Sequence, residues 1–408
     1  MFEQYRGLRK ENYILAFGRL VTGLGSMIWP MMTLILSQKM GVSAKGVSIL
    51  LAAAMVGMAP AIYLGGKISD KRDKKQTIVV LDLMSTASFV TCAFIPMSWI
   101  TIGLLFLGSV CQNMENPAYN ALTADLTVTE DRDRSFSLQY LCANLGLVMS
   151  PTLAGLLFRD HLWLSFLING LSILCSALLI QFFVRDTAPS VETGAKAEYQ
   201  REKKGESVLQ VLKNNRLIIL FILVLSGYFA VYQLGYVYLI PLDLAEMYGE
   251  TGALIYGSVT SVNCVVVVLF TPVVTRLFGT RSEPSRITAG VSLCVLGFVL
   301  FAVFRRYIPM YYVSMIILTW GEVFALTADS PYLSRRIPSS HRGRLNGIVT
   351  VVRTVITSLS QLAIGWIYSG GGSEYAWIAI MAAGAATVFA SCILIIRDRV
   401  DYPNLYRD

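Results

Sequence analysis

The chain has 408 residues, 55% of them hydrophobic and 15% charged, and its mean hydropathy is +0.58. A soluble domain carries roughly 25% charged residues. Here long apolar runs replace them, which excludes an ordinary water-soluble enzyme and a disordered chain. The formal net charge of +8 therefore bears on membrane orientation, and no nucleic-acid partner is expected.

A membrane-spanning helix needs ~20 mostly apolar residues, and twelve segments qualify. The first, at 13–36, is too long for a signal peptide and has no small-residue cleavage site, so it is expected to persist as a membrane helix. Gly18-Arg19, Gly23, Gly25 and Trp29-Pro30 lie along it. The second, 46–67, runs into a basic loop, Gly66-Lys67-Ile68-Ser69-Asp70-Lys71-Arg72-Asp73-Lys74-Lys75. The third, 77–97, carries Asp82, which is expected to form a structural ion pair with Arg19. The fourth, 100–123, places Glu115 among Gln112, Asn113 and Asn116, the pattern of a cavity wall that takes a proton or attracts a cation. The fifth, 136–158, contains the small-residue run Asn144–Gly155, in which Gly146, Ser150 and Gly155 permit close helix contact and Pro151 a kink. The sixth spans 162–184.

Residues 185–216 form the one long polar segment. Its end places Val208, Leu209, Val211 and Leu212 on one helical face, so a short amphipathic helix on the inner membrane surface is expected there. The linker divides the chain into an N-terminal six-helix bundle, 1–184, and a C-terminal one, 217–408.

In the second half the spans lie at 217–241, 251–274, 286–304, 308–332, 346–368 and 374–396. The seventh aligns Tyr228, Tyr232 and Tyr236 at i, i+4, i+8 with Gln233 alongside, and the eighth aligns Tyr256, Thr260 and Asn263. Phenol-tipped aromatic walls suit an amphiphilic or cationic organic substrate. The tenth carries Glu322 and, seven residues on, Asp329 on the same face; the eleventh carries Arg353. An ionisable group at bilayer depth costs roughly 2.5–3.5 kcal/mol. Arg353 can neutralise one of these acids, leaving the other to hold a proton. A static ion pair is the alternative.

Of the 34 Lys and Arg, only Lys39, Lys45, Arg159, Arg305 and Arg306 fall in loops on the side opposite the N-terminal tail, which places both termini in the cytoplasm of a cell (plasma or inner) membrane protein. The seven cysteines sit inside apolar runs and read as small buried residues, and the two histidines are far apart, so neither a metal nor a cofactor is expected. The halves also echo each other. Glu115-Asn116-Pro117 in the fourth span precedes Arg132-Asp133-Arg134, and Asp329-Ser330-Pro331 in the tenth precedes Arg342-Gly343-Arg344. The same order at the same ordinal span supports a parallel two-fold repeat.

The loop Gly66–Lys75 resembles the GxxxD(R/K)xGR(R/K) loop, motif A, of the major facilitator superfamily, with Asp73 standing where the family has Gly. The resemblance implies a conformational lock built on Gly66, Asp70, Lys71 and Lys74, with Asp70 pairing with Arg132 or Arg134. The run Asn144–Gly155 is similar to motif C of that superfamily's proton-linked antiporters, and the first span is similar to that of its drug exporters. The implied fold is all-α, twelve membrane helices in two six-helix bundles related by pseudo-two-fold symmetry. The implied activity is alternating-access transport of a small molecule, with protons as the coupling ion, by a monomer in the lipid bilayer. Proton-coupled efflux of small amphiphilic, drug-like compounds leads. Import or facilitation of a defined organic solute is the alternative, because Gly108–Met114 lacks the basic residue that many proton-antiporting exporters carry in the middle of span four. No nucleophile–base pair and no GxxxxGK(S/T) loop points to an enzyme.

Overall fold

The computed structural model describes residues 5–127, 131–184, 215–278, 281–336 and 339–406. Side chains inside these ranges that fall outside the description include those of Asp70, Lys71, Arg132 and residues 339–347. The amphipathic helix expected at the end of the linker also lies outside the described residues.

Among the described residues the chain is helical, without strands. The helices are α1 (Lys10–Gly25), α2 (Ile28–Leu34), α3 (Ala44–Lys71), α4 (Lys74–Phe94), α5 (Trp99–Asp125), α6 (Arg132–Leu147), α7 (Ser150–Leu157), α8 (Leu162–Phe183), α9 (Arg216–Gln233), α10 (Ile240–Tyr248), α11 (Thr251–Phe278), α12 (Glu283–Val303), α13 (Ile308–Arg336) and α14 (Ser339–Asp401). Among the described residues ten helical stretches are long and apolar enough to cross a membrane. The last of these, Ile348–Asp401, is 54 residues long. Gly372 breaks it with φ 77°, a backbone region that side chains with a Cβ rarely enter. α5, with 27 residues, is not among the ten.

Local chemistry explains several boundaries. Asp73 caps α4, its carboxylate accepting from the Gln76 N–H at 2.7 Å. Pro151 and Pro284 stand in the first turns of α7 and α12, where a missing N–H costs nothing. The first span is not one straight helix, because Ser26 and Met27 interrupt it between α1 and α2. A π-helical turn, Ile35–Lys39, follows α2, and another, Leu234–Leu239, joins α9 to α10. Such turns recur at functional positions in helices.

The chain divides into two compact units: Met1–Val42, Ala54–Thr193 and Leu244–Val268 form the first, and Ser43–Ala53, Gly194–Asp243 and Leu269–Asp408 the second. α3 and α11 therefore each contribute to both, with the change of unit falling close to their internal prolines, Pro60 and Pro272. In the first unit α1 packs on α6 and α8, and α4 on α5 and α8. In the second, α9 packs on α14, and α12 on α13 and α14. First and third spans thus find corresponding neighbours in each unit.

Small residues set the closest approaches. A Cβ on Gly146 would stand 2.3 Å from the Leu20 carbonyl oxygen, and one on Gly23 2.6 Å from that of Ala143. α1 and α6 can cross this closely only because both positions are glycine. Large apolar side chains such as Phe94, Phe182 and Phe389 point outward, as lipid contact requires.

Candidate functional site

In the first unit, α1, α5 and α6 enclose a cavity of ≈ 260 Å³ lined by Arg19, Thr22, Ser26, Gln112, Asn113, Glu115 and Asn116 together with small and apolar residues. Arg19 is its centre. Its guanidinium lies 3.6 Å from Glu115 Oε2, donates to Asn116 Oδ1 at 3.1 Å, and rests 3.6 Å from the centre of the Tyr119 ring. The Tyr119 hydroxyl in turn donates to the Leu15 carbonyl at 2.6 Å, fixing the ring under the cation. Glu115 is buried at 4% exposure. The partner of Arg19 is therefore Glu115. The pairing of Arg19 with Asp82 expected from sequence is not among the ion pairs of the described residues. Asp82 is buried on α4, within electrostatic reach of both Arg19 and Glu115. One cation thus stands beside two buried carboxyl groups.

The amides beside Glu115 behave as wall residues. Asn113 and Asn116 donate back to the Ser109 and Gln112 carbonyls at 2.9 and 3.2 Å, which leaves their oxygens to the cavity or to Arg19. Thr22 and Ser26 were not singled out from sequence. With Arg19 they repeat at i, i+3 and i+7, a polar stripe in an apolar run that marks one helix face.

In the second unit the tyrosines of α9 form a ladder. Tyr228 and Tyr232 have ring centres 6.1 Å apart, and Tyr232 and Tyr236 5.3 Å, the second pair edge-on. Tyr236 already lies in the π-helical turn. The Tyr232 hydroxyl donates to Glu322 Oε2 at 3.0 Å, joining this ladder to α13. Asp329 and Arg353 act on each other electrostatically, without an ion-pair contact among the described residues. The Arg353 guanidinium stacks 4.3 Å over Phe229. Gln233 is half-buried beside the ladder. Tyr256, Thr260 and Asn263 are buried on the part of α11 that belongs to the first unit.

The two motif-like segments sit as follows. Gly66 packs near Pro117, and Lys74 pairs with Asp125 of α5. Arg134 binds Asp131 at 2.6 Å and the Arg6 carbonyl at 2.6 Å. The pairing of Asp70 with Arg132 or Arg134 lies outside the described side chains, because that of Asp70 does. In the small-residue run, Ser150 is buried, Thr152 shares a hydrogen bond of 2.7 Å with Ser261, and a Cβ on Gly155 would stand 2.6 Å from the Ala253 carbonyl. Across the same crossing, a Cβ on Gly257 would meet the Pro151 carbonyl.

One cluster was not legible as such in the sequence. Arg336, just beyond the tenth apolar run, is fully buried and bidentate to Asp398, Nε to Oδ1 at 2.8 Å and Nη2 to Oδ2 at 2.6 Å, with Glu283 3.5 Å away. Tyr332 and Tyr406 also donate to Asp398.

Residues 15–361 match the model of the family described as Major Facilitator Superfamily. The chain belongs to the major facilitator superfamily. Among curated members of it, the tetracycline resistance protein, class C, of Escherichia coli is 25% identical over 352 residues, 81% of this chain and 82% of that protein. A Na(+), Li(+), K(+)/H(+) antiporter of Planococcus maritimus is 22% identical over 83% of this chain and 84% of its own. The multidrug resistance protein MdtH of Yersinia pestis (strain Pestoides F) is 22% identical over 95% and 94%. Among solved structures, a POT family transporter in complex with a thioalcohol-conjugated peptide superposes with TM-score 0.75 at 12% identity, covering 97% of this chain and 99% of that one. PepTSo, also of the POT family, gives 0.73 at 14%, covering 95% and 97%. These structures share the fold. As a major facilitator protein, the chain is a multi-pass membrane transporter and not an enzyme.

Proposed function

We propose that this transporter exports small amphiphilic or drug-like compounds in exchange for protons, by alternating access. The observation that carries the reading is the cavity of the first unit, where, among the described residues, Arg19 is the one cation acting on the buried carboxyls of Glu115 and Asp82. Burial disfavours uncompensated charge. Two carboxylates sharing one guanidinium leave one negative charge in excess, which a proton or a cationic substrate neutralises. Competition between these two for one site is the simplest route to exchange. Glu322, hydrogen-bonded by Tyr232 of the aromatic ladder, is the second proton-carrying candidate; Asp329, two turns further along α13, faces Arg353 electrostatically and is the third. The names of the resistance and antiport relatives agree with this direction of transport.

The proposed topology has twelve spans, obtained by counting α14 as two across Gly372 and including α5, with both termini cytoplasmic in the cell membrane of a monomer. The Asp70 loop and the contacts at Gly155 and Gly257 are proposed to hold the two sides of the carrier shut in alternation.

A second reading, uptake or facilitation of a defined organic solute, draws on the absence of a basic residue in Gly108–Met114. One experiment separates them. Everted vesicles carrying a preformed pH gradient are challenged with cationic and neutral amphiphiles, using wild type, Glu115→Gln and Glu322→Gln. Substrate-triggered proton release in wild type, lost in either variant, is the expected result. Gradient-independent movement of solute, unchanged in both variants, would assign facilitation instead.

A further inference from the structure

At the end of the second unit nearest the linker, the start of α9 and the end of α14 enclose a cleft of ≈ 340 Å³ lined by Arg216, Leu217, Leu220, Ile393, Arg397 and Asp401. Both arginines are exposed, and neither takes part in an ion pair among the described residues. Arg216 also opens α9. The side chain of the preceding Asn215 does not cap that helix, because its carboxamide oxygen accepts from the Tyr402 hydroxyl at 3.3 Å instead. The positive end of the helix therefore adds to the two guanidiniums. Arg216 and Asp401 are also the terminal residues of membrane-crossing stretches, Arg216–Tyr248 and Ile348–Asp401, so the cleft lies at headgroup depth. Below it the outer faces of the same two helices are apolar and exposed, with Ile219 and Leu223 on one and Phe389 and Ile396 on the other.

We propose that this cleft is a binding site for an anionic glycerophospholipid. The phosphodiester sits between Arg216 and Arg397, which present forked donors matched to phosphate oxygens. One acyl chain follows Leu220 and Ile393 into the furrow between the helices. Asp401 accepts from hydroxyls of a polyol headgroup such as glycerol. Two guanidiniums and one carboxylate leave a single positive charge, which matches one phosphodiester. The same carboxylate repels a doubly charged free phosphate and so favours the lipid.

The test is native mass spectrometry of the full-length chain released from detergent with equal amounts of dioleoyl phosphatidylglycerol, phosphatidylethanolamine and phosphatidylcholine. Wild type is expected to retain phosphatidylglycerol selectively. R216Q/R397Q should lose that selectivity by about tenfold or more, at roughly a few-fold per arginine. R399Q removes a charge from the same helix outside the cleft and should behave as wild type. Sodium phosphate at matched concentration should not displace the lipid. Equal retention of the three lipids by wild type would overturn the proposal, as would preference for phosphatidylethanolamine, displacement by free phosphate, or an equal loss in R399Q. If the double variant does not fold, R397Q with the wild-type selectivity ratio decides the question.

Discussion

Arg19 illustrates what one residue in a low-dielectric site must do. It has an acid, an amide and an aromatic face around it. Sequence located Arg19, Asp82 and Glu115 as buried charges on three spans, but their mutual distances depend on how those spans rotate against one another, which no local pattern encodes. The structure puts Glu115 at ion-pair distance from Arg19 and Asp82 within electrostatic reach of it. Tyr232 offers a cleaner case. Tyr232→Phe keeps the ring ladder and removes only the donor to Glu322. A hydrogen bond to a charged group contributes about 1.5–3 kcal/mol. Coupled transport by Tyr232→Phe should therefore fall roughly tenfold, and Glu322→Gln should abolish it at normal expression. If the hydroxyl acts through Glu322, the double variant is no worse than Glu322→Gln alone, since the two belong to one unit. Additive losses in proton-linked transport assays would show that Tyr232 acts elsewhere.

At the scale of elements, apolar run length makes the all-helical membrane fold legible, because a bilayer imposes a length and every backbone group must be bonded within the helix; among the described residues ten stretches meet that length. What the runs concealed were departures from regular helix. The π-helical turns at Ile35–Lys39 and Leu234–Leu239 have no composition of their own, and the second rotates the tyrosine stripe that a constant period would extend. The α4 cap is a local pattern: Asp73 followed three residues later by Gln76 forms the capping sequence, which gives the aspartate a role where the family has glycine. The buried Arg336 cluster lay beyond local reading, since Glu283, Arg336 and Asp398 are far apart in sequence and each looks like a loop charge. It ties the ends of α12, α13 and α14 together. Arg336→Ala leaves Asp398 buried without its cation, a change that costs about 3–5 kcal/mol. The expected outcome is a melting temperature in detergent lowered by several degrees, while Arg281→Ala, at an exposed position just before α12, is the control that should leave it unchanged.

At the scale of the molecule, the linker at 185–216 divides the sequence into halves, yet the compact units do not follow that division throughout. Residues 43–53 of the first half belong to the second unit, and residues 244–268 of the second half belong to the first. Hydropathy alone could not show this exchange, because α3 and α11 are each continuous, apolar and long enough to pass for simple members of their own half. The exchange has a consequence for how the protein assembles. A ribosome that has finished the first half has made a body still lacking a stretch of α11, and that body holds a stretch of α3 with no home. Severed within the linker and produced as two polypeptides, the halves should each be degraded when made alone and should accumulate, with transport restored, when made together. Stable accumulation of either fragment by itself, measured by immunoblot of membranes, would show that the loan of helix between them is dispensable.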